Sequence, residues 1–277
     1  MVNRMSSIKS PYYNPNYSTF HVPSYEILFN NQKNFDYCLV IPVINEGNRI
    51  INLLEKIKNL NISNTMLDVI IIDGGSTDNS LEHSRLKELN VNTLLLKTGQ
   101  GKLSSQLRCA YDYALNEGYK GILTIDGNNK DDPSPIPLFI EKLKSGYDFV
   151  QASRFISGGT AVNTPKSRDF AIRFIHAPVL SCSSGFHWTD TTQGFRAYSD
   201  KLLSDNNVAI FRDIFQKYEL LAYLSHIAPK LGFKCIEVAS TRIYPKGEIP
   251  TKISSFKGNL EVLKVLFKAA FGIYNRK

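Results

Sequence analysis

The sequence of 277 residues predicts an α/β fold of the Rossmann-like kind, in which helices flank a mostly parallel central sheet. Short aliphatic runs alternate with segments of helical spacing, and such repeats favour parallel strands joined by right-handed crossovers. Two of the runs, within residues 70–78 and 124–133, lead directly into acidic and glycine residues. Strands of an open α/β sheet end in this way where a ligand binds.

The predicted strands are the aliphatic runs. They cover residues 37–42, 67–73, 92–96, 121–126, 148–152 and 234–241. The predicted helices show apolar residues three and four positions apart, as in Ile50, Leu53, Leu54 and Ile57 of the first helix. They cover residues 47–59, 79–89, 102–118, 136–145 and 213–231.

Composition divides the chain into three predicted segments. Residues 1–34, rich in Asn, Tyr, Ser and Pro, form an N-terminal extension, and residues 35–250 form a single α/β domain. Residues 251–277 form a C-terminal amphipathic helix, which has a wide apolar face and a polar stripe of Lys257, Glu261, Lys264 and Lys268. We expect this helix either to pack on its own domain or to lie in a membrane interface.

The net charge of +8 favours an anionic partner such as a phosphorylated substrate or an acidic lipid surface, or else marks a merely soluble basic protein. Nucleic-acid binding is not predicted, because no basic motif interleaved with aromatic residues supports it. The sequence has no run of about 20 apolar residues, so no transmembrane helix is predicted. Residues 1–17 are polar and do not resemble a signal peptide. The scattered cysteines indicate reduced thiols in a cytoplasmic protein. They are Cys38, Cys109, Cys182 and Cys235.

Polar residues stand at the carboxyl end of the first predicted strand. Pro42 ends the strand because it cannot donate a ladder hydrogen bond. Asn45 either caps the next helix or faces a ligand above the sheet. Glu46 can accept hydrogen bonds from a ribose or a base.

The second strand ends at Asp73, directly after four aliphatic residues. A carboxylate there is costly if it is buried without a partner, so we expect it to receive hydrogen bonds from a nucleoside. Gly74 allows the backbone to approach a ligand closely. Ser76 and Asp78 are expected mainly to cap the next helix.

A third motif, Asp126-Gly127-Asn128, follows the strand that begins at residue 121. Side chains alternate along an extended segment, so Asp126 and Asn128 point to the same side. Their oxygens suit a hard divalent cation, Mg²⁺ or Mn²⁺, that bridges a diphosphate. Lys102, before a predicted helix, either contacts a phosphate or belongs to a simple turn.

Together these motifs resemble a known family. Their order, VIPVINE, DGGSTD, DGN, SRF, GG, SR and QGFRAY, is similar to that of the family-two inverting glycosyltransferases, and most like the dolichyl- or polyprenyl-phosphate sugar synthases. The resemblance covers about residues 37–255. It implies the A-type glycosyltransferase fold, a catalytic domain at 35–250, a nucleoside-diphosphate sugar as donor and a divalent cation. It also implies that Asn45, Glu46 and Asp73 bind the nucleoside and that Asp126 touches the metal.

Three residues depart from the family pattern. Asn128 stands where relatives usually have a second Asp, and Lys130 where they often have Gln. An amide and an added cation weaken the electrostatics for a metal, and Lys130 can supply part of the positive charge that a diphosphate needs. Gln193 replaces a small Ser at the donor site.

The resemblance assigns the acceptor phosphate to Arg154 and Arg168, and arginine offers a planar fork for phosphate oxygens. Their alternative role is an ordinary ion pair on a loop. A phosphate monoester is already largely ionised near neutral pH, so it needs no general base. A sugar hydroxyl would need one, and Asp190 is the candidate. Lys246 and Lys252 lie where relatives have cations near the donor phosphates.

The sequence therefore predicts a peripheral protein of the cytoplasmic membrane face that transfers a sugar from a nucleoside-diphosphate sugar to a polyprenyl phosphate. One alternative acceptor is a sugar hydroxyl of a capsule, a lipopolysaccharide or a lipid-linked glycan. Another alternative is a nucleotide-sugar-binding protein without catalysis, in which Asn128 and Lys130 mark lost metal chemistry.

Overall fold

The computed structural model of the protein describes residues 21–245 and 256–276. The strands in these ranges are β1 (Tyr25–Asn30), β2 (Tyr37–Val43), β3 (Asp68–Asp73), β4 (Val91–Lys97), β5 (Gly121–Thr124), β6 (Phe149–Ser153), β7 (Thr160–Val162), β8 (Arg196–Ser199), β9 (Cys235–Ala239) and β10 (Thr241–Ile243). Eight of them form one sheet in the order β1-β4-β3-β2-β5-β8-β6-β9, while β7 and β10 form a small second sheet.

Helices connect these strands. They are α1 (Asn48–Asn59), α2 (Ile62–Thr65), α3 (His83–Glu88), α4 (Leu103–Asn116), α5 (Ile136–Lys144), α6 (Lys166–Ala171), a π-helical turn (Ile172–His176), α7 (Ala177–Ser184), α8 (Asp200–Ser204), α9 (Glu219–Lys230) and α10 (Phe256–Ala270). The predicted α/β class, with helices around a large central sheet, is confirmed.

Strand direction decides where a ligand can bind. Strand β2 is parallel to β3 and β5, and β3 is parallel to β4. The carboxyl ends of these four strands therefore meet at one edge of the sheet. The sheet is nevertheless mixed, because β8 runs antiparallel between β5 and β6 and β1 runs antiparallel to β4.

Both faces of the central sheet are covered, and β2 shows why. Its side chains alternate between the two faces. Cys38 and Val40 belong to one buried cluster, whereas Leu39, Ile41 and Val43 belong to the other. A strand that is buried on both faces has a continuous run of apolar residues, and such a run predicted β2 from the sequence.

Strand β1 lies inside the 1–34 segment that composition marks as an extension. Its backbone pairs with β4, and the Tyr25 hydroxyl donates a hydrogen bond of 3.0 Å to the Asp112 carboxylate. The extension thus supplies an edge strand of the central sheet. The short apolar run of β1 is hidden in the sequence by the Asn, Tyr and Ser residues around it.

Helix α10 packs on the domain through one face and exposes another. Val265, Leu266 and Ala269 are buried against α7 and α9. Phe267 and Phe271 remain exposed, with 79% of Phe271 accessible to solvent. Among the residues that the structure describes, no helix combines the length and apolar character needed to cross a bilayer.

Candidate active site

The site begins at the ends of β2 and β3, where two loops hold each other. The Asp73 carboxylate accepts hydrogen bonds from the backbone N–H and the hydroxyl of Ser76, at 2.9 and 2.7 Å. The Ser76 hydroxyl also accepts the backbone N–H of Asn45, and the Asn45 side chain accepts the N–H of Thr77 at 2.8 Å. Asp73 and Asn45, both predicted to contact a nucleoside, are therefore brought to one place with Ser76 between them.

Glu46 and Pro42 complete this end of the site. Glu46 is largely buried and its carboxylate pairs with Arg49 at 3.0 Å. Pro42 sits within β2, in register with Ile72 of β3. Gly127 follows β5, and a Cβ at that position would lie 3.1 Å from the Pro42 carbonyl oxygen. A glycine there lets the two backbone segments approach each other closely.

Gln106, which the sequence analysis did not identify, holds the carboxyl ends of β2 and β3 together. Its side-chain amide donates to the carbonyl of Val43 at 3.0 Å and to that of Ile72 at 3.2 Å. A Cβ on Gly74 would lie 2.9 Å from this amide, which explains the glycine there. Lys102 is exposed at the start of α4, one helical turn before Gln106.

Beyond the end of β5, Asp126 contacts a cation of this chain. The guanidinium of Arg242 donates to Asp126 at 3.1 Å and also contacts Asp131. Asp126 is 23% exposed, whereas Asp131 is fully buried. A Cβ on Gly194 would overlap the Asp126 carboxylate, so only glycine fits beside it. Sequence reasoning missed Arg242 as a site residue, because more than 110 positions separate it from both carboxylates.

Three cations surround the ring of Tyr244. The Lys130 ammonium lies 5.3 Å from the ring centroid, and the Arg242 and Arg168 guanidinium groups lie 5.7 and 6.0 Å from it. Arg168 also donates a hydrogen bond of 3.3 Å to the Tyr244 hydroxyl. Burial by itself would raise the pKa of Tyr244, yet the nearby Arg242 and Arg168 lower it to about 8. We call Lys130, Arg168, Arg242 and Tyr244 the cation cluster.

These contacts do not fit the divalent cation predicted at Asp126 and Asn128. The Asn128 side-chain oxygen accepts the backbone N–H of Lys130 at 3.2 Å, and Arg242 already faces Asp126. Burial, and then the neighbouring Arg242, lower the pKa of Lys130. In the two described ranges, no group of three or more His, Cys, Asp or Glu side chains could hold a metal ion.

Arg154 and Asp190, both predicted as catalytic, form a buried ion pair with each other. Their closest atoms are 2.7 Å apart, and the two side chains are 1% and 0% exposed. Burial opposes the charge of Asp190, but Arg154 and the hydrogen bonds of the site hold the pKa of this carboxyl below its ordinary value. Asp190 is therefore engaged by Arg154, and it orients that guanidinium.

One nitrogen of the Arg154 guanidinium makes no hydrogen bond to Asp190. Its Nη1 atom is buried and has no hydrogen-bond partner among the described protein atoms. A buried N–H without a partner costs free energy, so it is a natural contact for a phosphate oxygen. The charge of Arg154 also contributes to the lowered pKa of Tyr244, after Arg242 and Arg168.

Gln193 links this ion pair to the strand beside it. Its side-chain Nε2 donates to Asp190 at 2.8 Å, and its side-chain Oε1 accepts a hydrogen bond from the Ser240 hydroxyl at 3.1 Å. The side chain is fully buried. The structure thus places Gln193 behind the site, as a support for Asp190. Lys246 and Lys252, the other predicted donor contacts, lie outside the described residues.

Comparisons with known proteins agree with this architecture. The family model "Glycosyl transferase family 2" matches residues 38–218. The chain is 26% identical to an undecaprenyl-phosphate mannosyltransferase of Micrococcus luteus, over 63% of this chain and 71% of that protein. It is 22% identical to a polyprenol monophosphomannose synthase of Mycolicibacterium smegmatis, over 86% and 87% of the two chains.

Two solved structures show the same fold. A glucosyl-3-phosphoglycerate synthase of M. tuberculosis superposes with a TM-score of 0.57 at 15% identity, covering 85% of this chain and 80% of that one. A mannosyltransferase of Pyrobaculum calidifontis, in complex with GDP-Man and Mn²⁺, gives a TM-score of 0.53 at 15% identity, covering 90% and 66%. The protein is a glycosyltransferase with the A-type fold, and it belongs to glycosyl transferase family 2.

Proposed function

We propose that the protein transfers a sugar from a nucleoside-diphosphate sugar to a polyprenyl phosphate, with inversion at the anomeric carbon. The observation that carries this proposal is the cation cluster beside Asp126, with Arg154 nearby. Such a group of cations suits two phosphate-bearing substrates that meet at one place. The two relatives named above act, by their names, on polyprenyl compounds, which supports the same acceptor class.

The donor would bind along the edge that β2, β3 and β5 share. Asn45, Glu46 and Asp73 offer oxygen atoms to a nucleoside, and the glycines at 74 and 127 keep the backbone close. The diphosphate would then extend towards Asp126 and the cation cluster. The divalent cation predicted from the sequence is tested in the assay below by adding Mn²⁺ or EDTA.

The acceptor phosphate would bind Arg168 and the buried Nη1 of Arg154. With a second pKa of about 6, a phosphate monoester is mostly dianionic near neutral pH. It can attack the anomeric carbon without a base, so the chain only has to position it and to offset its charge. The burial of Asp190 in its pair with Arg154 is consistent with a reaction that needs no base.

A lipid acceptor requires contact with a membrane, and two exposed apolar surfaces could make it. Phe267 on α10 and Phe271 just after its end are exposed to solvent, as are Lys264 and Lys268 of the same helix. On the segment that follows Arg168, Phe170 and Phe174 are 57% and 66% exposed, with ring centroids 4.9 Å apart. Apolar side chains flanked by lysines suit the interface of an anionic bilayer. The cytoplasmic location stays a prediction.

The test begins with a screen of nucleoside-diphosphate sugars by thermal shift, with Mn²⁺ and with EDTA, since a ligand of the native state raises its melting temperature. The stabilising donor is then incubated with a polyprenyl phosphate. We expect Arg168→Ala to lose about 100-fold in kcat/KM for the lipid, which corresponds to about 2.7 kcal/mol. The exposed Arg85, which pairs with Glu55 on the surface, gives the matched control Arg85→Ala. Unchanged lipid turnover in Arg168→Ala would refute the acceptor assignment.

A further inference from the structure

Arg242 is held in place by backbone as well as by side-chain contacts. Strand β10 pairs with β7, and residue 242 forms a β-bridge with Asp131. On either side of Arg242, the N–H of Ile243 donates to the Lys130 carbonyl at 2.8 Å and the Thr241 carbonyl accepts the N–H of Asp132 at 3.0 Å. The guanidinium therefore stands beside Asp126 at a fixed position before any substrate arrives.

The charge of Arg242 is also fixed. Its side chain is 7% exposed, and burial opposes its charge. Asp131 and Asp126 outweigh that effect and hold the pKa of Arg242 well above its ordinary value. An arginine carries five N–H donors in a rigid fork, so two carboxylate contacts leave donors for phosphate oxygens.

The charges of the neighbourhood add up to a site for an anion. Among the described residues of this cluster, Arg242, Lys130 and Arg168 carry three positive charges, against two negative charges on Asp126 and Asp131. The lowered pKa of Tyr244 shows the same excess, since a phenol in a balanced buried site would have its pKa raised. The negative charge of a nucleoside diphosphate would neutralise this excess of positive charge.

We propose that Arg242 supplies the fixed positive charge that stabilises the departing nucleoside diphosphate, so that sugar transfer does not depend on a divalent cation. This inference rests on the proposed function. An acceptor phosphate oxygen forms a bond to the anomeric carbon while the bond from that carbon to the β-phosphate oxygen breaks. The electron pair leaves with the nucleoside diphosphate. Arg242 stays protonated and donates hydrogen bonds to the developing charge, which is the role of a positioned cation in such transfers.

The test measures how much the β-phosphate adds to binding. UDP and UMP, and GDP and GMP, are titrated into the full-length protein by calorimetry in EDTA and then in Mn²⁺. For the nucleoside that binds, we expect the diphosphate to bind at least about 10-fold more tightly than the monophosphate in EDTA. In Arg242→Gln this ratio should fall to about 1, and Arg242→Lys should keep part of it.

Controls separate this effect from a loss of folding. Arg108→Gln removes another buried arginine, which pairs with the exposed Asp213 outside the site, and it should lower stability without changing the ratio. Melting temperatures are measured for all variants. A wild-type ratio near 1 in EDTA that rises only with Mn²⁺ overturns the inference, and so does an unchanged ratio in folded Arg242→Gln. Failure of every nucleoside diphosphate and nucleoside-diphosphate sugar of the thermal-shift screen to bind refutes instead the proposed function on which the inference rests.

Discussion

At the end of β3, Asp73 is held by Ser76, three residues further along, whereas at the end of β5 Asp126 is held by Arg242, which is 116 residues away. The first arrangement is local and uses hydrogen bonds from uncharged donors to the carboxylate. The second is assembled from distant segments and uses charges. The end that we propose for the nucleoside is thus built by a local motif, and the end that we propose for the phosphates is built by topology. We call them the nucleoside end and the phosphate end, and the following experiments test that division.

The largest effect on stability is expected from the buried pair of Arg154 and Asp190. Removing one partner leaves a buried charge without compensation, which costs about 3–5 kcal/mol. We expect Arg154→Gln and Asp190→Asn each to show this loss in denaturant unfolding, and the double variant to lose less than the sum.

The control for this pair is Lys120→Gln, which breaks an exposed ion pair with Asp36 and should change stability hardly at all. Asp190 also makes stability depend on pH. Because its folded pKa is below the unfolded value, the stabilisation is complete above the unfolded pKa and is lost as the pH falls through the folded pKa. If the single variants behave like Lys120→Gln, the pair does not hold the phosphate end together.

A smaller but more selective effect is expected from Gly194→Ala. The new Cβ would overlap the Asp126 carboxylate and push it away from Arg242. We expect transfer activity to fall about 100-fold while nucleoside binding at the other end changes little. Gly146→Ala is the control, because Gly146 has φ +85° with open space around it and adds backbone strain alone. Equal losses of transfer activity in both variants would contradict the prediction that activity depends on the position of the Asp126 carboxylate.

At the nucleoside end, Ser76→Ala removes the hydroxyl that donates to Asp73 and accepts from Asn45. We expect donor affinity to fall about 10-fold, close to the value of one or two hydrogen bonds, with the diphosphate-to-monophosphate ratio unchanged. Ser80→Ala, which removes a similar hydroxyl bonded to Asp78, should have little effect on binding. A changed ratio in Ser76→Ala would show that the two ends are not independent.

The smallest effect is the titration of Tyr244. Its folded pKa of about 8 lies below the ordinary value of 10.0, so this group stabilises the protein increasingly as the pH rises from 8 to 10, and not below 8. The phenolate absorbance of the wild type, compared with Tyr244→Phe, should show a titration near pH 8. In Arg168→Gln we expect that titration to move upward. A titration that stays in place would mean that Arg168 contributes little charge to the cluster.

The sequence predicted where Asp73 and Asp126 lie in the sheet because the determinants of that placement are local. The aliphatic runs before Asp73 and Asp126 mark buried strands, and parallel strands bring their carboxyl ends together. That placement needs only pattern and strand direction. The membership in the family and the fold, both inferred from the order of the motifs, are confirmed.

The phosphate end could not be predicted in the same way. In the sequence, Asp131 looks like an acidic residue at the start of a helix. In the structure it is buried against Arg242, which lies on the short strand β10 near the end of the domain. Arg154 and Asp190 read as separate ligands, yet 36 positions apart they bind each other. A pairing between distant charges leaves no periodic trace, so only the fold reveals it.

The acceptor provides the most direct test of the account. Initial rates are compared for one polyprenyl phosphate and for the same polyprenol without its phosphate, using the donor that the thermal-shift screen identifies. We expect glycosylation of the phosphate alone, because the Arg168 and Arg154 guanidinium groups have no comparable partner in an alcohol. Comparable rates on the alcohol, or on a sugar hydroxyl with the polyprenyl phosphate left unmodified, would contradict the account.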